Sequence, residues 1–177
     1  HGAAGYSIHP LFPVSDKLTS YRELGGAFFC IEGTESLDIW KETLESLGAR
    51  VQDVSEDVKS KYHAACAISS NLVCALVDMS IRLLEDSGFT EEAAREALKT
   101  LAMSNMSHLM EEGPAKALTG PVERDDAETV NKHLAAIEDE NDRNLYIAAS
   151  KAVLEIARKK NPDRDYEQTT KILAKEK

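Results

Sequence analysis

The sequence predicts a mainly α-helical chain with a small α/β part at its N-terminal end. Three short apolar runs rich in aromatic and β-branched residues, a composition typical of strands, all fall within residues 1–54. From Ser55 onward the apolar residues recur only at helical spacing, with helix start and stop residues between the segments. We therefore predict two domains, at residues 1–54 and 55–177.

The N-terminal part is predicted as strand, strand, helix, strand. The first strand is expected to end at Ile8, because Pro10 fixes φ and has no backbone donor. The helix between the second and third strands is expected to stop at Gly48. Its apolar residues at helical spacing are Leu37, Trp40, Leu44 and Leu47. The strand segments are GYSIH, GAFFCIEG and ARVQDVS.

The longest predicted helix runs from Ser55 to Ser87, with Ser55 as its cap and an acidic first turn. Its apolar residues spread around most of its circumference, so it must be buried on most sides. The other predicted helices each offer a single apolar stripe. We therefore expect a homodimer formed by the helices after residue 55, with Leu76 and Leu83 among the contacts.

Three more helices and a short amphipathic segment complete the predicted fold. One helix starts at Thr90 and stops at Gly113. An Asp125-x-x-Glu128 capping box is expected to start a helix over residues 127–138. The remaining elements are a helix over residues 143–159 and a final segment with Tyr166, Ile172 and Leu173.

The composition excludes several classes of protein. Hydrophobic residues at 42% and charged residues at 29% are close to the averages of globular proteins, which excludes a disordered chain. The formal net charge is -10 and no Lys/Arg run is interleaved with aromatic residues, so nucleic acid is not an expected partner. The apolar window from Tyr62 to Leu84 contains His63, Asp78 and Arg82, which a bilayer would penalise, so no membrane is expected.

The cysteines and the first residues bear on the cellular setting. Cys30, Cys66 and Cys74 show no CxxC spacing, which favours a reducing cytoplasm. The sequence begins at His1, and HGAAG has neither the basic nor the apolar region of a signal peptide. We therefore expect a fragment of a longer protein.

His9 is the first candidate for a catalytic residue. It stands between an apolar run and Pro10, and one interpretation is that a strand simply ends there. The other is an imidazole at the exit of a strand, where open α/β sheets gather ligands and where histidine exchanges protons near neutral pH. The stretch by itself leaves both interpretations open.

A second group of polar side chains lies in the longest predicted helix. Lys59 and His63 are four residues apart, hence on one face, and Asn71 lies about 80° round from His63, next to Ser70. Ammonium and amide donors can hold a carbonyl or carboxylate while an imidazole exchanges the proton. The alternative is that Lys59 and His63 face solvent, while Ser70 and Asn71 pack against neighbouring helices.

The loop LTGPVER supplies two further candidates. Thr119 lies beside the rigid Gly120–Pro121 turn, and Arg124 has the forked donors that suit a carboxylate or phosphate. The alternative is a helix connection with a solvated arginine. The sequence has no HExxH, paired Cys/His set or EF-hand spacing, so no metal site is expected, and it has no GxGxxG turn.

Four blocks in this order resemble one bacterial family: SIHPLFPVSD, GAFFCIEG, VKSKYHAACAISSNLVCAL and GPAKALTGPVERDDAETVNKHLAAI. Its members are Rossmann-like proteins with a helical C-terminal domain of unknown function, similar to pyrroline-carboxylate reductase, prephenate dehydrogenase and ketopantoate reductase. The resemblance implies that residues 1–54 are the last strands of a Rossmann-like nucleotide-binding domain. It implies that residues 55–177 form a helical domain, like the C-terminal domain of phosphogluconate dehydrogenase, which dimerises and closes over the substrate.

The resemblance adds to the case for particular residues. His9 resembles the His-Pro histidine at the crevice between cofactor and substrate, and Lys59 and His63 resemble polar residues that face the same crevice. These three are the predicted catalytic residues. The predicted substrate-binding residues are Asn71, Ser70, Thr119 and Arg124. No residue is assigned to the cofactor, NAD or NADP, because the family's glycine-rich turn is not among the 177 residues.

Two functions are expected from these observations. The first is the C-terminal portion of an NAD(P)-dependent oxidoreductase that acts on a small carbonyl, imine or hydroxy acid, with this chain alone inactive. The second is a non-catalytic helical dimerisation or binding module, because a chain without a phosphate-binding turn binds a dinucleotide weakly.

Overall fold

The computed structural model describes residues 4–14, 16 and 18–175, without the side chains of Glu23 and Lys175. The fold is mainly helical with a small three-stranded sheet, which confirms the general fold class predicted from the sequence. The chain divides into two compact units, His1–Leu76 and Val77–Lys177. Among the described residues the sheet ends at Asp53 and only helices follow, while the domain boundary between residues 54 and 55 stays a prediction.

The sheet consists of β1 (Tyr6–Pro10), β2 (Phe28–Gly33) and β3 (Arg50–Asp53), in that spatial order. β1 pairs antiparallel with β2, and β2 pairs parallel with β3. All three predicted strands are confirmed, but the predicted end of the first strand at Ile8 is wrong. The Leu11 N–H donates to the Phe28 carbonyl at 2.8 Å, so in the alternating antiparallel pattern the Pro10 nitrogen faces away from β2 and no ladder bond is lost.

Helix α1 (Asp38–Ser46) forms between β2 and β3 as predicted, and Gly48 follows it at a φ of 86°. The helix packs near the start of β1, where the rings of Trp40 and Tyr6 lie 5.8 Å apart. Gly33 is required beside this contact, because a Cβ there would lie 2.5 Å from the Tyr6 ring. A 3-10 turn, Ser20–Glu23, precedes β2.

The predicted single helix from Ser55 to Ser87 is wrong, because it is broken into two. A 3-10 turn at Glu56–Val58 leads into α2 (Lys59–Ser69), and α3 (Val73–Asp86) follows after a turn at residues 70–72. The Ser69 and Ser70 hydroxyls both donate to the Cys66 carbonyl, at 3.2 and 2.7 Å. Such side-chain bonds compete with the helical backbone bonds, so the Ser-Ser-Asn sequence ends the helix.

The second unit contains α4 (Glu91–Glu112), α5 (Pro114–Ala117), α6 (Ala127–Ala136), α7 (Glu140–Lys160) and α8 (Glu167–Lys175). Thr90 caps α4 as predicted, accepting from the Ala93 N–H at 3.2 Å. The capping box predicted at Asp125 is wrong. Asp125 has a φ of 57°, outside the helical region, and Asp126 is the cap instead, accepting from the Thr129 N–H at 3.0 Å. The predicted start of the helix at Ala127 is confirmed.

The core of the second unit is formed by α6, α7, α8 and the loop before α6. Tyr166 anchors its polar edge, because its hydroxyl donates to the Glu123 carbonyl at 2.8 Å. This packing confirms that the final amphipathic segment is a helix with its apolar side inward. The buried side chains are Val122, Val130, Leu134, Ile147, Leu154, Ala157, Tyr166 and Leu173.

Helices α3 and α4 leave large apolar side chains exposed in the single chain. By length and composition alone, the stretch Glu56–Asp86 is apolar enough to cross a membrane, but the turn at residues 70–72 interrupts it. Only 6% of its most apolar window is buried within the chain. The exposed apolar residues of the two helices are Leu76, Val77, Leu101, Met103, Met106 and Met110.

Candidate functional site

A set of polar side chains shares one face of the sheet in the first unit. His9 lies opposite Cys30 and Ser7 lies opposite Glu32 in the pairing of β1 with β2. Paired residues of neighbouring strands point to the same face, and residues two apart in a strand do so as well. Ser7, His9, Cys30 and Glu32 therefore share one face of the sheet, together with Gln52 of β3, which pairs with Cys30. We call Ser7, His9, Cys30 and Glu32 the sheet-face cluster.

Helix α2 covers the sheet-face cluster and adds three polar side chains to it. The Lys59 ammonium pairs with the Glu32 carboxylate and also donates to the Ser7 hydroxyl at 3.3 Å. One turn further along, the Tyr62 and His63 rings lie 5.9 and 6.1 Å from the His9 ring. The three residues predicted to be catalytic, His9, Lys59 and His63, are thus brought together by the fold.

The charge state of Lys59 is set by its contact with Glu32. The hydrogen bond that Lys59 donates to the Glu32 carboxylate raises the pKa of Lys59, so the ammonium stays charged at neutral pH. Lys59 therefore presents a positive charge beside Ser7, on the face of the sheet that also carries His9.

His9 has an unused hydrogen-bonding atom. Its Nδ1 is buried and has no partner among the described residues. Most buried polar atoms in proteins are hydrogen-bonded, so an unpaired one at a cluster of this kind points to a missing partner. The Oε2 atom of Glu32 is also buried and has no hydrogen-bond partner among the described residues.

Burial also sets the protonation of the neighbouring tyrosine and cysteine. Burial raises the pKa of the Tyr62 hydroxyl, which is therefore neutral and able to donate at neutral pH. Burial, with a smaller effect of Cys66, raises the pKa of the Cys30 thiol. Cys30 thus lacks the thiolate character of a nucleophile and acts as a packing residue.

Sequence reasoning missed Ser7, Glu32 and Tyr62. One signal for Glu32 was present, because a charged residue inside the apolar run FFCIEG is unusual in a buried strand. Tyr62 stands one helical turn from Lys59, which places the two on one face. Nothing in the sequence indicated that either would face His9.

Ser70 and Asn71 lie in the turn after α2, so the helical angle that placed Asn71 beside His63 is wrong. The Ser70 hydroxyl donates to the Cys66 carbonyl at 2.7 Å and lies 3.1 Å from the Asn71 Oδ1 atom. Both residues are exposed. Their predicted roles in substrate binding stay predictions.

Thr119 and Arg124 belong to the second unit, in the loop before α6. Both are exposed, and the closest ion-pair contact of Arg124 is the Asp126 carboxylate at 3.9 Å. A guanidinium held this loosely remains available to an anion. The substrate-binding role predicted for the two residues stays a prediction.

A cavity of about 920 Å³ lies within the second unit, between α3 and the α6–α7 connection. Of its lining residues, Arg82 donates to Asp142 at 2.5 and 2.9 Å, and it also donates to Asp78 at 2.9 Å. His133 Nδ1 lies 2.8 Å from the Tyr146 hydroxyl. Within residues 4–14, 16 and 18–175, no three His, Cys, Asp or Glu side chains are placed to hold a metal ion.

The chain belongs to the family described as "Domain of unknown function (DUF2520)", whose model matches residues 27–153. The match begins just before β2 and ends within α7, so it includes α2 and most of the second unit. No curated protein sequence matches the chain significantly.

Two solved structures share the fold. Protein TM1727 from Thermotoga maritima is 28% identical with a TM-score of 0.74, over 88% of this chain and 62% of that protein. The "putative NADP oxidoreductase BF3122" from Bacteroides fragilis is 21% identical with a TM-score of 0.66, over 88% of this chain and 59% of that protein. The chain therefore spans about three fifths of the length of these two proteins.

Proposed function

We propose that the protein is an NAD(P)-dependent oxidoreductase that acts on a small carbonyl, imine or hydroxy acid, with this chain as its C-terminal portion. The observation that carries the proposal is the sheet-face cluster, in which His9 keeps a buried, unpaired Nδ1 atom beside His63 and the charged Lys59. The name of the Bacteroides fragilis structure supports the reaction class. The relation to pyrroline-carboxylate reductase, prephenate dehydrogenase and ketopantoate reductase is part of this proposal.

In this proposal the chain supplies the proton-transfer half of the reaction. His9 gives or takes the proton at the oxygen or nitrogen of the reacting group, because an imidazole changes charge near neutral pH. Lys59 and His63 stabilise negative charge on that group. Ser70 and Asn71, in the same unit as His9, orient the rest of the substrate, while substrate binding by Thr119 and Arg124 of the second unit stays a prediction.

The described part of the chain offers no glycine turn open to a pyrophosphate at the end of β2. Gly33 is the last residue of this strand, and the Tyr6 and Leu37 side chains occupy the space beside it. The sequence also has no GxGxxG turn. We propose that the nucleotide is bound outside these 177 residues, and we assign no step of the reaction to it here.

Nucleotide binding tests this proposal. We expect calorimetric titration with NADH and NADPH to show no binding to the 177-residue chain, because the chain lacks the phosphate-binding turn. The full-length protein is expected to bind one of them in the micromolar range. No binding of either nucleotide by the full-length protein would contradict the oxidoreductase proposal.

A non-catalytic dimerisation or binding module is the second candidate function. The exposed apolar residues of α3 and α4 favour it, because such surfaces mark interfaces with other proteins. Binding of NADH or NADPH by the 177-residue chain would contradict a bare module. The proposed similarity to the helical domain of phosphogluconate dehydrogenase fits both candidates.

We further propose that the helical part forms a homodimer in a reducing cytoplasm. The three cysteines are free, which supports the location. The apolar residues left exposed on α3 and α4 support the dimer, since obligate dimers bury about 2,000 Å² or more of largely apolar surface. We expect sedimentation equilibrium at micromolar concentration to show twice the 19.5 kDa chain mass.

A charge substitution locates the interface. Leu101 is 68% exposed in the single chain, so L101E should leave the monomer folded and weaken the dimer at least tenfold. Q168E makes the same charge change on α8 and should keep the dimer. A wild-type chain that sediments as a monomer, with or without binding to phosphatidylcholine vesicles, would contradict the dimer.

A further inference from the structure

Two buried polar atoms without partners occur together in the sheet-face cluster. They are the Nδ1 atom of His9 and the Oε2 atom of Glu32, and neither has a hydrogen bond within the described part of the chain. An unmade hydrogen bond of a buried group is costly, so such groups are retained where a ligand or water completes them. The pair therefore marks a position for one additional polar group.

The register of the sheet makes the two residues that carry these atoms close neighbours on one face. His9 pairs with Cys30, and Glu32 stands two residues along β2 on the same face, so His9 and Glu32 are diagonal neighbours. The backbones of diagonal neighbours in antiparallel strands lie about 7–8 Å apart, which is within the reach of long and aromatic side chains. A single heteroatom with a hydrogen bond of about 2.8 Å to each side bridges two side-chain atoms that are about 5 Å apart.

The Lys59 side chain lies over this position and can move. The Glu32 side chain is only 17% exposed, and the Lys59 side chain that lies over it is 46% exposed. Lysine has a long stem with several rotatable bonds, so it can swing aside without disturbing α2. A small ligand can reach the position once Lys59 moves.

The chemistry of Glu32 restricts what can bind. One oxygen of its carboxylate already accepts from the Lys59 ammonium, and a carboxylate paired in this way offers only acceptors. The bridging group must therefore donate a hydrogen to the Oε2 atom. A hydroxyl or an ammonium can do so, whereas a carbonyl oxygen cannot.

We propose that Glu32 is a specificity-determining residue that selects ligands with a hydrogen-bond donor at the position bridging Glu32 and His9. The ligands are small acids with a hydroxyl or ammonium group on the carbon next to the carboxylate, in preference to the corresponding oxo acids. This inference deepens the proposed function and rests on it. It implies that the reduced form of the substrate binds more tightly than the oxidised form.

Binding of three matched acids to the wild-type chain tests the proposal without any variant. Lactate, alanine and pyruvate differ only in carrying a hydroxyl, an ammonium or an oxo group on the central carbon. We expect the side-chain 15N resonance of His9 Nδ1 to shift with lactate or alanine at a Kd about tenfold lower than with pyruvate, the scale of one unmade buried hydrogen bond. The two donors are distinguished by which of them gives the lower Kd.

The E32Q variant tests whether the Glu32 carboxylate causes the preference for lactate or alanine over pyruvate. E32Q replaces one acceptor by an amide that also donates, so pyruvate should be accepted and the preference should fall to less than about threefold. E35Q makes the same charge change at an exposed position two residues beyond β2 and should keep the wild-type preference. Far-UV circular dichroism confirms that each variant is folded.

Several outcomes would overturn the proposal. They are equal binding of lactate, alanine and pyruvate by the wild-type chain, no His9 shift with any of the three at tens of millimolar, or an unchanged preference in folded E32Q. Each of these leaves the nucleotide titration of the full-length protein unaffected. Failure of this inference is therefore distinguishable from failure of the proposed oxidoreductase function.

Discussion

Replacement of His9 by asparagine is expected to lower the turnover of the full-length protein about 100-fold or more. The substitution removes the group that exchanges a proton, while asparagine keeps a polar side chain of similar length between Tyr62 and Cys30. The fold should be preserved, because His9 Nδ1 makes no hydrogen bond that the described structure depends on. The measurement is kcat for NAD(P)-linked conversion of small hydroxy, amino and oxo acids.

A second histidine gives the matched control for this prediction. His108 is exposed on α4 and is distant in sequence from the sheet-face cluster, so H108N should keep wild-type turnover. Circular dichroism should show the same helical content for both variants. Wild-type turnover of H9N would leave His9 with only a structural role in β1.

The largest expected effect on stability comes from the core of the second unit. Leu154 on α7 is only 4% exposed and belongs to the cluster formed with α6 and α8. L154A removes buried methyl groups and leaves a cavity, which costs about 2–5 kcal/mol of unfolding free energy. Urea unfolding followed by far-UV circular dichroism measures this loss at a fixed protein concentration.

Glu155, the next residue on the same helix, provides the control. It is exposed and pairs with Arg158 three residues later, an exposed ion pair with little effect on stability. E155A should therefore change the unfolding free energy by less than about 1 kcal/mol. A loss of less than about 1 kcal/mol in L154A would show that α7 is not packed as described.

Local patterns determined most of the secondary structure. The strands, α1, α4 and the last helix were predicted because periodicity, caps and glycine stops act over a few residues. The same patterns failed at residues 70–72, where the Ser69 and Ser70 hydroxyls donate to the Cys66 carbonyl at the end of α2, and at Asp125, which takes a left-handed conformation. There the Asp125 side chain accepts from the Thr169 N–H at 3.0 Å, a contact between segments far apart in sequence.

The candidate site was also predicted only in part from the sequence, and the tertiary structure decided the rest. The sequence by itself singled out His9, Lys59 and His63 through their residue types, the four-residue spacing of Lys59 and His63, and the family resemblance. It also predicted that the longest apolar helix after residue 55 needs further burial. Only the tertiary structure brought Glu32 to Lys59, across 27 residues, and Ser7 to Lys59, across 52. Strand register and the packing of α2 decide which side chains meet and which buried atoms stay unpaired, and both depend on contacts between distant segments that no local pattern encodes.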